Sequence, residues 1–127
     1  MVNPPTLHPP SGYSHVAEVA GGRTIFIAGQ VALDLAGRLV GKDDLRAQAR
    51  QVFLNLDAAL KAVGGEFRDV VRLTYYLLDI SQLPTVREVR DQFVNTGSPP
   101  TSSAIGVRGL ARPDLLIEID AVAVVSP

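Results

Sequence analysis

The strongest hydrophobic pattern in the chain is a run near its C-terminus, over residues 115–125. Because neighbouring side chains of a β-strand point to opposite faces, every second residue from Leu115 onward would form one wholly apolar face. The opposite face carries two carboxylates, Glu118 and Asp120, among apolar neighbours. The length and β-branched content of the run predict a strand with one covered face. The two carboxylates then either face water, pair with other groups or border a cleft.

Two amphipathic helices are predicted from apolar residues that recur at intervals of three and four positions. The first spans residues 43–63, is capped by Asp43 or Asp44, and ends at a Gly-Gly pair. The second spans about residues 82–94, with Ser81 as its cap. Charged residues on the outer face of each helix are expected to face solvent.

The remaining apolar runs predict strands. A Gly-Gly-Arg turn at residues 21–23 joins the first two as a hairpin. The run over residues 70–78 is apolar on both sides, which is typical of a strand in the middle of a sheet. Gly29 is unusual inside a strand, and indicates either a bulge or a ligand close to the backbone. The predicted strands cover residues 15–20, 24–33, 39–40, 70–78, 102–108 and 115–125.

This order of elements predicts an α/β fold of the α+β type over one domain, residues 1–127. An extended, proline-rich segment at residues 1–14 precedes it. Strand–helix–strand units mixed with hairpins favour a mixed sheet with both helices on one face. The other face, with Val122 and Val124, then has no cover within one chain. We expect copies of the chain to bury it against each other.

Composition excludes several classes of function. The 127 residues carry a formal net charge of −1, which gives no electrostatic reason to expect nucleic acid as a partner. No cysteine is present, and the two histidines, His8 and His15, lack metal-ligand spacing, so we expect no metal site. No apolar run reaches the length of a membrane span and no signal-peptide pattern is visible, so a cytoplasmic protein without membrane contact is expected.

Several short stretches together resemble the RidA/YjgF family, the reactive-intermediate deaminases that are also called endoribonuclease L-PSP. The resemblance runs from about Tyr13 to Val125, and it depends on the order and spacing of the stretches because no single one is highly specific. The stretches are Gly12-Tyr13-Ser14, Ile25 to Gln30, Gln48 to Gln51 with Asn55-Leu56, Val86 to Phe93, and Ile117 to Ala123.

The resemblance implies a chorismate-mutase-like fold and a homotrimer whose three sheets form a central barrel. It also implies small-molecule sites in the clefts between subunits. Members of this family hydrolyse imines or enamines of 2-amino acids without a metal or a cofactor. Tyr13 matches the site tyrosine, and Glu118 matches the acid that holds or activates water. Gly29, followed by Gln30, matches the stretch beside the ligand.

The sequence also departs from the family pattern. The arginine that grips the substrate carboxylate is replaced by Ser102, which is followed by Ser103. A serine offers one hydroxyl and no charge, so we expect weak or absent hydrolysis of ordinary 2-imino acids. Ala28 and Ala104 replace a serine and a cysteine. The chain therefore resembles a divergent subgroup that lacks the substrate-binding arginine.

Arg87 stands where the family has an asparagine near the site, and two interpretations of it are open. Arg87 either pairs with Asp91 one turn away on the helix surface, or supplies the lost positive charge from another wall of the cleft. Arg108 has similar reach. With the catalytic pair Glu118 and Tyr13, the ligand-contacting residues predicted from sequence are Gly29, Gln30, Arg87, Ser102 and Ser103.

Three functions compete at this point. The first is a cofactor-independent hydrolase that acts on an imine, an enamine or a related C–N bond. The second is a non-catalytic module that binds a small metabolite or a protein on the same trimeric scaffold. The third, ribonuclease or translation-inhibitor activity, is disfavoured because the chain has no stripe of aromatic and basic residues.

Overall fold

The computed structural model describes all 127 residues as one mixed β-sheet with two α-helices on one face. The strands pair in the order β1-β4-β2-β3. Strand β4 is antiparallel to both of its neighbours, whereas β2 and β3 are parallel. This architecture confirms the predicted α+β class and the placement of both helices. The elements are β1 (Arg23–Gln30), α1 (Leu45–Ala62), β2 (Val70–Leu77), α2 (Leu83–Arg90), β3 (Thr101–Gly106) and β4 (Ile117–Val125).

Strand β4 lies between β1 and β2 and has one covered face, as its alternating pattern predicts, and β2 is the other interior strand, as its two apolar sides predict. The odd-numbered residues of β4, from Ile117 to Val125, are all buried, and its even-numbered residues are half-buried. The buried side chains pack against α1 and α2, and we call this side of the sheet the covered face. Phe53 of α1 stacks on Phe93, with ring centroids 5.3 Å apart, which closes the core at the end of α2.

Buried polar side chains fix α1 relative to the strands. The Gln48 amide is fully buried; it donates to the carbonyls of Gly41 and Asp114, and accepts from the Leu116 backbone N–H at 2.9 Å. Each of these bonds replaces one that water would make, so the burial of the amide carries no unsatisfied donor or acceptor. Asp44, one of the two predicted caps, accepts from the Ala47 N–H at 3.1 Å. Helix α1 thus begins and packs as its sequence predicts.

Two of the predicted strands are wrong. Residues 15–20 form no strand, because the backbone of Val16 exchanges hydrogen bonds with Val2 in the N-terminal segment instead of with β1. Residues 39–40 contribute only an isolated bridge between Leu33 and Leu39. Between these two residues, the carboxylate of Asp34 accepts hydrogen bonds from two backbone N–H groups. The tight turn that results limits the strand pairing to this one bridge.

The second helix is shorter than predicted. A separate 3₁₀ turn over Ile80–Gln82 precedes α2, and Asp79 rather than Ser81 caps that turn by accepting the Ser81 N–H. Helix α2 itself ends at Arg90, and the chain then turns toward β3. No helix in the structure is long and apolar enough to cross a bilayer.

The other side of the sheet has no cover within the chain, and we call it the open face. Phe26 of β1 is 80% exposed there, and it lies opposite Val122 of β4 in the antiparallel pair. Val124 pairs with Thr24 on the same face. Exposed aromatic and aliphatic side chains in adjacent strands form an apolar surface that favours association.

Candidate functional site

The carboxylate of Glu118 lies directly against the backbone of Gly29. Glu118 projects from β4 on the open face, next to β1, where the pairing of the two strands shifts between Ile27 and Gln30. A β-carbon at Gly29 would lie 2.7 Å from Cδ of Glu118 and 3.0 Å from its Cγ, closer than real contacts allow. The bulge is one of the two interpretations that the sequence offered for this glycine, and the absence of a side chain at Gly29 is what allows the Glu118 carboxylate to lie here.

A groove of about 600 Å³ opens beside Gly29. Its wall on the α1 side is rigid because the Asn55 amide donates to the carbonyls of Val31 and Leu33, each at 3.0 Å, and the amide of Gln51 donates to Asn55. Gln30, the other predicted ligand contact of this stretch, also lines the groove. The lining residues are Gly29, Gln30, Val31, Leu33, Asp34, Leu35, Gln51, Leu54, Asn55 and Ala58.

Further polar side chains lie on the open face. The Tyr76 hydroxyl donates to Asp120 at 3.0 Å, and this hydrogen bond to a carboxylate, with the negative charge of Asp120, raises the pKa of Tyr76. Arg72 donates to the Ser103 hydroxyl at 2.9 Å. Ser103, predicted to contact substrate, is therefore engaged by a neighbouring strand. Asp120 pairs with a tyrosine, which is one of the alternatives open to the two carboxylates of β4.

Tyr13 lies at the start of β3. The N–H of Ser14 donates to the Pro100 carbonyl at 3.2 Å and its hydroxyl donates to Pro99, which fastens the segment to this strand. The Tyr13 hydroxyl lies 2.7 Å from Nε2 of His8. His15 bonds to the His8 carbonyl at 2.7 Å and packs edge-on against the Tyr13 ring. The two histidines thus hold the tyrosine, a role that their spacing in sequence did not indicate.

Arg87 does not pair with Asp91. Arg90 is only 3% exposed, and it donates hydrogen bonds to the Asp91 carboxylate from Nε at 3.0 Å and from Nη2 at 2.8 Å. It also donates to the Gly12 carbonyl. The interpretation of Arg87 as the surface partner of Asp91 is therefore wrong. Arg87 is half-buried, and its Nε is buried without a hydrogen-bond partner. Gly12 lies next to both guanidinium groups, because a β-carbon there would be 3.4 Å from Nη2 of Arg90 and 3.8 Å from Cζ of Arg87.

Tyr75 and Arg90 belong to the same region, and neither is among the site residues predicted from sequence. The Tyr75 hydroxyl is buried without a hydrogen bond of normal geometry. Burial raises the pKa of Tyr75, while the positive charges of Arg90 and Arg87 oppose that rise. One signal was available: Arg90 occupies a position in the apolar stripe of α2, where a charged residue is buried only if it is paired.

Six of the seven predicted site residues fall into two clusters in one chain, and Ser103, which is bonded to Arg72, belongs to neither. The Glu118 cluster comprises Gly29, Gln30 and Glu118, and the Arg87 cluster comprises Tyr13, Arg87 and Ser102. Strands β1 and β3 are opposite edges of the sheet, separated by three strand spacings of roughly 4.8 Å each. Ser102 also pairs with Leu73 of the covered face, whereas Glu118 lies on the open face. One chain therefore does not bring its predicted catalytic residues together.

Two further observations complete the chemistry of the two clusters. No group of three or more histidine, aspartate or glutamate side chains is arranged to hold a metal ion. Arg108, the second cation considered as a replacement for the missing arginine, is exposed in the turn that follows β3.

Comparison with known proteins identifies close relatives. The sequence pattern described as endoribonuclease L-PSP matches residues 5–125. The mouse 2-iminobutanoate/2-iminopropanoate deaminase is 36% identical over 115 residues, which is 91% of this chain and 82% of the mouse protein. Protein DfrA of Myxococcus xanthus is 39% identical over 112 residues, 88% of this chain and 84% of that protein. A crystal structure of a conserved Rid family protein from Yersinia pestis superposes with a TM-score of 0.85 at 42% identity, covering 98% of this chain and 96% of that one.

Proposed function

This chain belongs to the endoribonuclease L-PSP family, also called RidA/YjgF, and from that membership we propose that it hydrolyses a small imine, an enamine or a related C–N bond. The relative from mouse is named a deaminase of 2-imino acids, which supports this class of reaction. We also propose that this chain is a divergent member, because a serine stands where the family's substrate-binding arginine is expected.

The contact between Glu118 and Gly29 carries the proposal. A carboxylate held against a strand bulge, beside a groove of about 600 Å³, can bind and deprotonate a water molecule next to a bound substrate. In the reaction, the water oxygen adds to the imine carbon and Glu118 accepts a proton from that water. This first proton passes to the nitrogen and gives an amino group on the same carbon. A second proton then moves from the new hydroxyl to the amino group, the C–N bond breaks, ammonia leaves, and the carbon keeps the oxygen as a carbonyl.

The complete site requires two copies of the chain. The Glu118 cluster is near the β1 edge and the Arg87 cluster is near the β3 edge, so the edges of two neighbouring subunits would bring the clusters into one cleft. The apolar open face around Phe26 and Val122 favours such an assembly, since its burial removes exposed side chains from water. We take the assembly to be a homotrimer whose sheets form a barrel.

Tyr13 is the second catalytic group in this proposal. Its hydroxyl lies 2.7 Å from Nε2 of His8. In the proposed assembly, this hydroxyl would enter the cleft from the subunit opposite Glu118. A hydroxyl in this position can donate to or accept from the nitrogen as its protonation changes. No metal and no cofactor takes part in this mechanism.

Ammonia release tests the proposal. The purified protein is incubated with a panel of small imines and enamines, and ammonia is measured with wild type and with Glu118→Gln. We expect release that requires Glu118. Tight binding of small metabolites without turnover would instead identify the non-catalytic binding module, which the missing charge at Ser102 favours. Salt-dependent binding of RNA would support the ribonuclease alternative.

A further inference from the structure

We infer that Arg87, together with the Tyr75 hydroxyl, binds one carboxylate group beside Gly12. The inference deepens the proposed function, on which it rests, because it takes this carboxylate to belong to the substrate. It assigns two residues of the covered side of the sheet to substrate recognition, and it places the recognised charge on α2 instead of on β3.

The charges around Arg87 leave one positive charge without a partner. Arg90 is neutralised by Asp91 through two hydrogen bonds and is tied to the Gly12 carbonyl. Glu88, the other acid of α2, pairs with Arg46 at 2.6 Å on the outside of the helix. Arg87 forms no salt bridge. A single uncompensated guanidinium that is partly removed from water favours a ligand with one negative charge.

Two polar atoms in this region are buried and unsatisfied. Nε of Arg87 and the hydroxyl of Tyr75 have no hydrogen-bond partner, although Tyr75 is only 1% exposed. Native proteins leave few such groups unpaired because each one loses its hydrogen bonds to water on burial. A carboxylate has two oxygens that can accept from both groups. It would therefore satisfy the two donors and the free charge together.

Two small residues, Gly12 and Ala104, border this pair. Gly12 has φ +77° and carries no side chain, and a β-carbon there would lie 3.8 Å from Cζ and Nε of Arg87. On the strand side, Ala104 of β3 lies opposite Tyr75, so no long side chain extends over the hydroxyl from the neighbouring strand. The flat guanidinium suits a carboxylate because it can form two parallel hydrogen bonds, which the single ammonium group of a lysine cannot do.

Calorimetric titration of the oligomer as purified tests the site, with pyruvate and acetate as probes. We expect Arg87→Ala to weaken carboxylate binding at least ten-fold, and Arg87→Lys to recover only part of the loss. Tyr75→Phe keeps the ring and removes only the hydroxyl, and should weaken binding about three- to ten-fold. The matched control is Arg68→Ala, which removes an exposed arginine paired with Glu66 and should leave affinity unchanged.

Inorganic phosphate is the second probe, and it separates a carboxylate site from a site for any anion. Weaker binding of phosphate than of pyruvate supports the inference, and equal or tighter binding overturns the assignment to carboxylates. Equal affinity of wild type and Arg87→Ala for pyruvate overturns the site itself. Thermal unfolding of each variant separates a local effect from misfolding, and Arg87→Lys and Tyr75→Phe keep the inference testable if Arg87→Ala does not fold.

The inference and the proposed function can fail separately. If pyruvate binding depends on Arg87 but no imine is hydrolysed, the carboxylate site stands and the hydrolase proposal falls. If imines are hydrolysed with the same KM by wild type and Arg87→Ala, the hydrolase proposal stands and the carboxylate site falls.

Discussion

The carboxylate of Glu118 occupies the space that a side chain at Gly29 would need. Because a β-carbon at position 29 would lie 2.7 Å from Cδ of Glu118, any other residue there forces the carboxylate to move. The bulge in β1 and the rotamer of the acid are therefore coupled, and the position of the proposed base is set by a residue on a different strand. A substitution at Gly29 can therefore move the carboxylate of Glu118 while leaving the glutamate itself unchanged.

We predict that Gly29→Ala lowers imine hydrolysis by ten-fold or more and leaves the fold intact. The displaced group is the end of a flexible side chain on the open face, so it can rotate away, but it then no longer holds the attacking water in place. Ammonia release gives the activity, and thermal unfolding gives the stability. The control is Gly109→Ala, since a β-carbon at Gly109 meets nothing within 4 Å. Equal activity in both variants would contradict the assigned coupling.

Glu118→Gln should abolish most activity with little loss of stability. The amide keeps the shape of the side chain but cannot accept a proton from water, and loss of a general base typically lowers kcat by about 10²–10⁴-fold. Asp120→Asn is the matched control, because Asp120 lies on the same face of β4 and its amide can still accept from Tyr76. Unchanged activity of Glu118→Gln on a verified substrate would show that Glu118 is not the base.

Hydrophobic periodicity was sufficient to predict the sheet and both helices. The apolar residues that alternate along β4 and the apolar stripe along α1 are the buried residues of these elements, so the periodicity of the sequence predicts which face of each element is covered. The strand over residues 15–20 could not be excluded in this way, because the partner of Val16 is Val2 in the same segment and not a strand of the sheet. Such a choice of partner is made by tertiary contacts, which local pattern does not contain.

The two-cluster arrangement of the candidate site was likewise beyond the sequence. Family resemblance identified Tyr13, Glu118 and Arg87 and implied sites in clefts between subunits, but it did not indicate which of these residues lie near which edge of the sheet. Asp91 has two arginines within reach, Arg87 and Arg90, and helix spacing favours the one a full turn away. Burial reverses that preference. Arg90 lies in the buried stripe of α2, where an unpaired charge costs more free energy than at the half-buried position of Arg87, so Asp91 pairs with Arg90.

The phenol of Tyr76 should titrate above its ordinary pKa of about 10. The raised pKa means that this hydrogen bond stabilises the fold fully below pH 10 and is lost as the pH rises through the folded-state pKa of Tyr76. Asp120→Asn removes the charge and should move the titration toward the ordinary value. NMR of ring-labelled tyrosine measures the shift, and Asp57→Asn, on α1, is the control. An unshifted titration in Asp120→Asn would contradict the assigned cause.

The chain should be a homotrimer at micromolar concentration, with about three times the 13.5 kDa mass of one chain in light scattering. Phe26→Glu should yield monomers, because it places a charge in the apolar part of the open face, where Phe26 is 80% exposed in a single chain. Leu7→Glu, in the N-terminal segment, is the control and should leave the trimer intact. A monomeric wild type would contradict the proposed assembly and, with it, the shared cleft.

Ser102 provides the last prediction, which concerns ordinary 2-imino acids. Wild type should hydrolyse them weakly, because the charge of Arg87 lies on α2 and position 102 offers none to a carboxylate placed beside β3. Loss of a charge-assisted contact at that place costs about 1.5–3 kcal/mol, roughly ten- to a hundred-fold in kcat/KM. An oxidase-coupled assay with the imines of small amino acids measures this. A rate near that of an ordinary deaminase of the family would show that the missing charge at position 102 does not limit the reaction.

The same position tests whether Arg87 has taken over the lost charge. Ser102 lies on the covered face diagonally across from Tyr75, close enough for an arginine at 102 to approach the same carboxylate. If Arg87 already binds the carboxylate of the substrate that this protein turns over best, Ser102→Arg should gain little on that substrate in the wild-type background, because two guanidinium groups would repel each other around one charge. In an Arg87→Ala background the same substitution should raise kcat/KM at least ten-fold. Equal gains in the two backgrounds would mean that the two positions act independently, and Arg87 would then have no part in binding the carboxylate.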